Sequence, residues 1–194
     1  MNNNLCENLA QPKNINFPFE AEMAEETILY IIDRIKINDI YHVLKVIYFA
    51  NRLHLERYGR LIYGESFTAL KHGPVPQGAY DLIKNYRGDA IQDKTEYPVA
   101  ICGNDMKALR KANLDVFSES DIECLNECIN KYGQLSFGEI KSKSHTAAYH
   151  KADENDYMKI EDIVAEFNDG DILLKHLQNP FPDCDDDIDS PFVR

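Results

Sequence analysis

Histidine and cysteine are the side chains of this sequence that could bind a metal ion or take part in catalysis. Of the six histidines, His145 and His150 are five positions apart, which places them on different sides of a regular helix. Cys124 and Cys128 lie four positions apart on one helical face, whereas a thiolate zinc site usually shows paired Cys-x-x-Cys spacings. We therefore predict a buried apolar role for both cysteines, no metal site and no cofactor.

Signatures of catalysis are also missing from the sequence. It contains neither a glycine-rich loop that cradles phosphate groups nor the Gly-x-Ser-x-Gly turn of serine hydrolases. The nine glycines are scattered along the chain, mostly at predicted ends of helices and strands. We assign no catalytic residue and expect a protein that is not an enzyme.

The formal charge of −12 is concentrated toward the C-terminus. Residues 151–194 contain 13 Asp or Glu against four Lys or Arg, which leaves a net charge of only −3 for residues 1–150. Such an acidic region repels phosphate, so it disfavours nucleic acid as a partner. A basic protein partner would be attracted to it, although a contribution to solubility explains the same charge.

Cysteine usage and hydropathy predict a cytoplasmic protein. The five cysteines are odd in number and show no spacing typical of a disulfide framework. No apolar run approaches the roughly 20 residues that span a bilayer. The first ten residues have neither a basic segment nor the apolar segment of a secretion signal. We expect a protein that is neither secreted nor embedded in a membrane.

Apolar residues at helical spacing predict two helices in the first third of the chain. A stripe of isoleucines at i, i+3, i+4 and i+7 predicts the first, over residues 24–36. Asn38 is the predicted capping residue of the second helix, which ends at Gly59. This helix is apolar on more than one face. The breadth of its apolar surface predicts a central position.

The middle of the chain predicts one or two small β-hairpins. Residues 61–63 and 67–70 form either a hairpin or a strand and an extended segment, and residues 95–116 suggest a second hairpin. Between them, Gly73-Pro74-Val75-Pro76 predicts a rigid turn, because Gly73 can adopt positive φ and proline fixes φ near about −65°. A helix over residues 77–86 follows it.

Two capping-box patterns, at Ser120 and at Ser136, predict helices over residues 120–132 and 136–150. Such a pair could be a DNA-reading helix-turn-helix, and the second helix carries Lys141 and Lys143. It lacks arginine and precedes the acidic region, so we favour a packing role. Residues 160–167 and 171–177 predict two more helices.

These elements predict a mainly α fold, a compact helical domain with one or two small β-hairpins. We divide the chain into a flexible N-terminal arm (residues 1–21), a domain (22–178) and an acidic C-terminal tail (179–194), because residues 1–20 are aperiodic and the tail is rich in Asp and Pro.

The order of several short motifs resembles the Panacea domain, the SocA-like antitoxin family that includes phage-associated proteins. The motifs are a Lys-Val-Ile-Tyr-Phe central helix at residues 45–49, the Glu-Ser-Phe-Thr-Ala-Leu segment at 65–70, the Gly-Pro-Val turn at 73–75, and a last helix running through residues 136–149. The resemblance covers about residues 22–155. Leu70 and Tyr149 stand where the family often has Trp.

Two groups of functional residues are expected. The toxin-binding residues are Phe67, Pro74, Val75 and Tyr80, which the resemblance implies, with Asp185, Asp186 and Asp187, which the charge of the tail suggests. The expected structural residues of the family signature are Lys45, Tyr48, Phe49, Gly73, His145 and Tyr149.

The resemblance further implies an antitoxin of a type II toxin-antitoxin system, which binds and neutralises a cognate protein toxin encoded next to it. One kind of toxin so implied is an alarmone-synthetase-like enzyme that modifies tRNA or nucleotides. A hetero-oligomer with that toxin is expected. The alternatives on the same scaffold are a proteolytic adaptor and a transcriptional regulator, with a hydrolytic enzyme third.

Overall fold

The structure, a computed structural model, describes residue 15, residues 17–87 and residues 97–179. Within these ranges the chain forms eight α-helices and two antiparallel two-stranded sheets, which confirms the mainly α fold with small hairpins. In chain order these elements are α1 (Ala21–Ile32), α2 (Ile40–Tyr58), β1 (Phe67–Leu70), β2 (Gly73–Pro76), α3 (Gln77–Tyr86), β3 (Val99–Cys102), β4 (Asp105–Ala108), α4 (Glu119–Tyr132), α5 (Phe137–Ser144), α6 (Ala147–Lys151), α7 (Ile160–Val164) and α8 (Gly170–Gln178).

Helix α2 lies at the centre of the fold because it carries apolar residues on several faces. Val46 and Ile47 are fully buried, and the helix packs against α1, α3, α4, α5 and α7. Its capping residue is Asp39, which accepts a hydrogen bond from the backbone N–H of His42 at 2.8 Å. The prediction of Asn38 as the cap was therefore wrong by one residue.

The first hairpin pairs β1 with β2, with Phe67 opposite Pro76. The Gly-Pro-Val-Pro segment is thus a strand, and the prediction of a turn was wrong, because its pairing partner lies outside the segment. The turn itself consists of Lys71 and His72. Gly73 follows this turn with a φ of +99°, which confirms the positive φ that the sequence predicted for it.

Neither edge of this first hairpin is free. On the outer side of β1, the N–H of Met158 donates to the carbonyl of Phe67 at 2.7 Å. On the outer side of β2, Pro74 and Pro76 have no N–H to donate. The carbonyl of Pro74 accepts a hydrogen bond from Lys45. The hairpin is consequently closed to a further strand on both sides.

The second hairpin joins β3 and β4 through a turn that contains Gly103, with φ of +62°. It is attached to the start of α2, since the N–H of Met106 donates to the carbonyl of Asn38 at 2.9 Å. A short 3-10 turn, Leu114–Val116, then leads toward α4. The second hairpin was predicted within residues 95–116, and the structure confirms it.

Both capping boxes exist, but one is displaced. Ser136 accepts from the backbone N–H of Glu139, as predicted. The box of α4 is formed by Ser118 with Asp121, two residues before the predicted Ser120. In each box the carboxylate accepts a hydrogen bond from the backbone N–H of the capping serine, so the first turn of both helices is fixed.

The helix predicted over residues 136–150 is in fact two helices. Helix α5 ends at Ser144, and His145 has non-helical dihedral angles, φ −84° and ψ +70°. The N–H of Ala148, in the first turn of α6, donates to the carboxylate of Glu166 at 2.5 Å. This acidic side chain from the segment after α7 therefore stabilises a second helix start.

Residues 17–20, which the sequence assigned to a flexible arm, pack against the domain. A Cβ added at Gly64 would lie 1.9 Å from the carbonyl oxygen of Pro18, and one added at Gly78 would lie 2.3 Å from the ring of Phe19. Gly64 and Gly78 thus leave the space in which Pro18 and Phe19 pack. Ala21, the last residue of the predicted arm, begins α1, whereas residues 1–14, 16 and 180–194 lie outside the described residues.

Replacing Gly64 with alanine should destabilise the fold more than replacing Gly103. Both have positive φ, near +67° and +62°, so each alanine costs roughly 1–2 kcal/mol in backbone strain. Only the Gly64→Ala methyl meets backbone, which adds about 1–3 kcal/mol, whereas nothing lies within 4 Å of a Cβ at Gly103. Urea denaturation measures both losses, and equal losses would show that residues 17–18 do not pack here.

Candidate protein-binding site

Lys45 projects from the centre of α2 and is almost completely buried, with 1% of its surface exposed. Its Nζ donates to the carbonyl oxygen of Pro74 at 2.5 Å. This bond joins α2 to β2. It also satisfies the carbonyl of Pro74, which does not take part in the pairing of β1 with β2. The Nζ also lies 5.2 Å from the centre of the Tyr41 ring.

The electrostatic setting of Lys45 favours the neutral amine. Burial and, to a smaller extent, the positive charge of Lys141 together lower the pKa of Lys45 to about 7. Among the described residues, no carboxylate forms an ion pair with Lys45. A neutral amine still donates hydrogen bonds, so the contact with Pro74 survives loss of the proton.

Two further side chains bind the same hairpin turn. The hydroxyl of Tyr149, on α6, donates to the carbonyl of Leu70 at 2.9 Å. The hydroxyl of Tyr41, on α2, donates to the carbonyl of His72 at 3.0 Å. Together with Lys45, these side chains bind the carbonyls of residues 70, 72 and 74. The hairpin is therefore held from two helices through its backbone.

Gly73 lies where these contacts converge. A Cβ at this position would lie 2.6 Å from Ser144 Oγ and 2.9 Å from Lys45 Nζ, and its φ is positive. The ring of His145 stacks on that of Tyr149 with 4.2 Å between centroids. The structure thus brings together Lys45, Gly73, His145 and Tyr149, which the sequence assigned to one structural signature.

His145 packs in the cluster around Gly73. Its Nε2 is buried and has no hydrogen-bond partner among the described residues. Burial lowers the pKa of His145, and the charges of Lys141, Lys45 and His150 lower it further. Within the described ranges no carboxylate orients its ring in the way that a histidine general base is normally oriented.

The remaining signature residues, Tyr48 and Phe49, lie in the core. Tyr48 is fully buried and packs edge-on against Phe67 at 5.3 Å, and Phe49 stacks on Tyr132 at 3.9 Å. These contacts fix β1 and α4 against α2.

Glu65 prepares the start of α3, which follows the hairpin directly. Its carboxylate accepts hydrogen bonds from the N–H groups of Gly78 at 2.8 Å and Ala79 at 3.1 Å. Burial raises the pKa of Glu65, while these N–H groups act in the opposite direction. Since Pro76 has no side chain that can cap the helix, an acidic residue 12 positions before Gln77 does so.

The residues expected to bind a toxin divide into buried and accessible ones. Phe67 is 1% exposed and Pro74 is buried, so both support the hairpin from inside in this conformation. Val75 and Tyr80 are partly exposed and line the same groove. Asp185, Asp186 and Asp187 lie outside the described residues.

That groove has a volume of about 840 Å³. It lies between the start of α2, the first hairpin, α3, the turn of the second hairpin and the start of α5. Its lining residues are Asp39, Ile40, Tyr41, Leu44, Leu70, Lys71, His72, Val75, Tyr80, Arg87, Asn104, Asp105, Phe137 and Asn155. Half of these side chains are aliphatic, Phe or Tyr, and the other half are polar or charged, a mixture that suits the binding of another protein.

An aromatic cluster forms one wall of the groove. The rings of Tyr41 and Phe137 lie 4.4 Å apart, and His72 approaches Phe137 edge-on at 5.5 Å. Phe137 is 46% exposed, an unusual position for a large apolar ring. Sequence reasoning missed Tyr41, His72 and Phe137. The helical capping box at Ser136 was a signal only for the position of Phe137, not for its exposure.

A buried Ser–His–Asp cluster lies elsewhere and does not have the geometry of a catalytic triad. His54 Nε2 lies 3.0 Å from Ser120 Oγ and 3.1 Å from Asp121, while Nδ1 lies 2.9 Å from the carbonyl of Arg60. In a triad, serine and carboxylate contact opposite ring nitrogens. Burial would raise the pKa of Asp121, but hydrogen bonds from His54 and Ser118 lower it to about 2. The cluster ties α2 to α4.

The paired cysteines are both buried on α4. Burial raises the pKa of the Cys124 thiol to about 11 and that of Cys128 to about 12. Protonated thiols are poor metal ligands, and within the described ranges no cluster of three His, Cys, Asp or Glu side chains could hold a metal ion.

The fold and the groove define a small, mainly helical protein with a partly apolar groove on its surface. The family described as antitoxin SocA-like, Panacea domain, matches residues 43–150, and the chain belongs to this family. The match includes α2 from Val43 onward, the first hairpin, α3 and the Phe137–Tyr149 region. No curated protein and no solved structure matches the chain. None of the described helices is both long and apolar enough to cross a bilayer.

Lys45→Met should change how stability depends on pH. The folded-state pKa of Lys45 is lowered to about 7 from 10.5, so between these values the unfolded chain binds more protons and wild-type stability rises with pH. The variant lacks this contribution. The difference in free energy of unfolding, wild type minus Lys45→Met, should therefore increase between about pH 7 and pH 10 in urea denaturation.

Lys159→Met, at an exposed position, is the matched control for removing a lysine. A wild-type minus Lys45→Met difference that stayed constant across this range would mean that Lys45 remains charged in the folded protein.

Proposed function

We propose that this chain is the antitoxin of a type II toxin-antitoxin system and neutralises a cognate protein toxin by direct binding. The observation that supports this most strongly is membership of the SocA-like antitoxin family over residues 43–150. The antitoxin-like family is generally non-enzymatic, and a binding role agrees with the chemistry of the described side chains.

The binding surface is prepared before the partner arrives. Three side chains hold the carbonyls of residues 70, 72 and 74, and Glu65 fixes the start of the following helix. A partner that binds here need not order the hairpin, so less of the interaction free energy is lost in ordering it. This rigidity supports tight binding by a small protein.

The acidic C-terminal region is a second candidate contact. Residues 180–194 contain Asp183, Asp185, Asp186, Asp187 and Asp189, whose carboxylates could occupy a basic cleft. Toxins that modify tRNA or nucleotides need such clefts for phosphate, so an alarmone-synthetase-like toxin fits this charge pattern. The cytoplasm, where such substrates are found, is the expected location.

Co-expression with the product of the adjacent reading frame tests the function. We expect the neighbour alone to stop host growth, the pair to grow, and the two proteins to co-purify as a hetero-oligomer. Rescue without association would favour a transcriptional regulator. Association that rescues growth only when a host protease is present would favour a proteolytic adaptor. A harmless neighbour would contradict the proposal.

A chain that ends at residue 179 separates the two candidate contacts. If the tail covers a basic cleft, removing residues 180–194 should weaken toxin binding at low salt by at least tenfold, and by less at high salt. Unchanged affinity at low salt would restrict recognition to the folded domain.

A further inference from the structure

We infer that the groove between α2, the first hairpin, α3 and α5 binds an amphipathic helix of the toxin, with apolar anchors against Phe137 and Tyr80 and a carboxylate beside Lys71. This inference deepens the proposed function and rests on it. It states where the partner binds, in which backbone form, and with which chemistry.

The form of the partner follows from the hydrogen bonding of the first hairpin. A peptide can recognise a sheet by adding a strand to its free edge. Here residues 155–158 bind the outer side of β1. On the outer side of β2, Pro74 and Pro76 lack an N–H, and Lys45 takes the carbonyl of Pro74. Strand addition is blocked at this hairpin, which leaves recognition by side chains in the groove.

The apolar contacts come from several elements that line the groove. Tyr41 and Phe137 form the aromatic wall, and the hairpin and α3 contribute Val75 and Tyr80. A volume of about 840 Å³ accommodates several side chains, which matches the anchors that a helix presents at i, i+3 or i+4, and i+7. An exposed aromatic ring on such a surface, as at Phe137, is typical of a binding hot spot.

The charge of the partner follows from the groove rim. Asp39 is already engaged by His42 at 2.8 Å. Among the described residues, Arg87 donates to uncharged oxygens, those of Gly103 and Asn104. Lys71 and Asp105 are exposed, and neither makes an ion pair within the described part of the chain. The rim therefore carries both signs of charge, and beside Lys71, at the turn of the first hairpin, an acidic residue on the partner helix is the complementary group.

The test measures affinity for the product of the adjacent reading frame by titration calorimetry with full-length variants. Phe137→Ala and Tyr80→Ala should each weaken binding by at least tenfold. Lys71→Glu should weaken it at low salt, with an effect that shrinks as salt increases. The matched controls, Leu114→Ala and Lys159→Glu, are at exposed positions outside the groove and should change affinity less than twofold.

Urea denaturation of each variant shows whether it is folded before its affinity is compared. Chemical crosslinking from a cysteine introduced as Lys71→Cys then identifies the toxin segment that lies in the groove. A helical segment with an acidic residue supports the inference, and an extended or basic segment overturns it.

The outcomes separate this inference from the proposed function. Wild-type binding that all three groove variants retain would overturn the inference and leave the antitoxin function standing. No binding or neutralisation by the wild-type chain would overturn both.

Discussion

The hydrogen bond from Lys45 to the carbonyl of Pro74 is the contact on which the shape of the proposed binding surface depends. A two-stranded hairpin is only marginally stable by itself in water. Here it is held because a side chain from the central helix reaches through the core to its backbone. Burying a lysine is costly, and the cost is reduced because the pKa of Lys45 falls to about 7, which favours the neutral amine. The positive charge of Lys141 acts in the same direction.

Further contacts hold the chain segments before and after the hairpin. Before the hairpin, residues 17–18 lie against Gly64, and Glu65 caps α3. After it, the break at His145 lets α6 turn so that Tyr149 reaches the carbonyl of Leu70. A continuous helix over residues 136–150 would carry Tyr149 along the axis of α5 instead. The end of α5 at Ser144 therefore helps to hold the hairpin, because it allows Tyr149 to reach Leu70. The groove beside the hairpin is preformed.

Local patterns predicted the elements that depend on neighbouring residues. The central helix, the positive φ of Gly73, the capping box at Ser136 and the second hairpin could all be read from short stretches of sequence. The role of the Gly-Pro-Val-Pro segment could not, because its strand pairing is set by β1. The resemblance placed Lys45, Gly73, His145 and Tyr149 in one signature, but not their contacts, which join residues far apart in sequence. The burial of Phe67 and Pro74 and the exposure of Phe137 likewise depend on tertiary packing, so the groove emerged only from the fold.

The central claim is that an antitoxin of this family binds its partner through a groove that the anchored hairpin shapes. Amide hydrogen exchange of the chain, alone and in complex with the toxin, tests it most directly, because it reports every backbone segment without substitution. The account predicts slower exchange on binding in residues 71–80 and 137–140, which border the groove. Unchanged exchange in both segments, with protection confined to other parts of the chain, would contradict it.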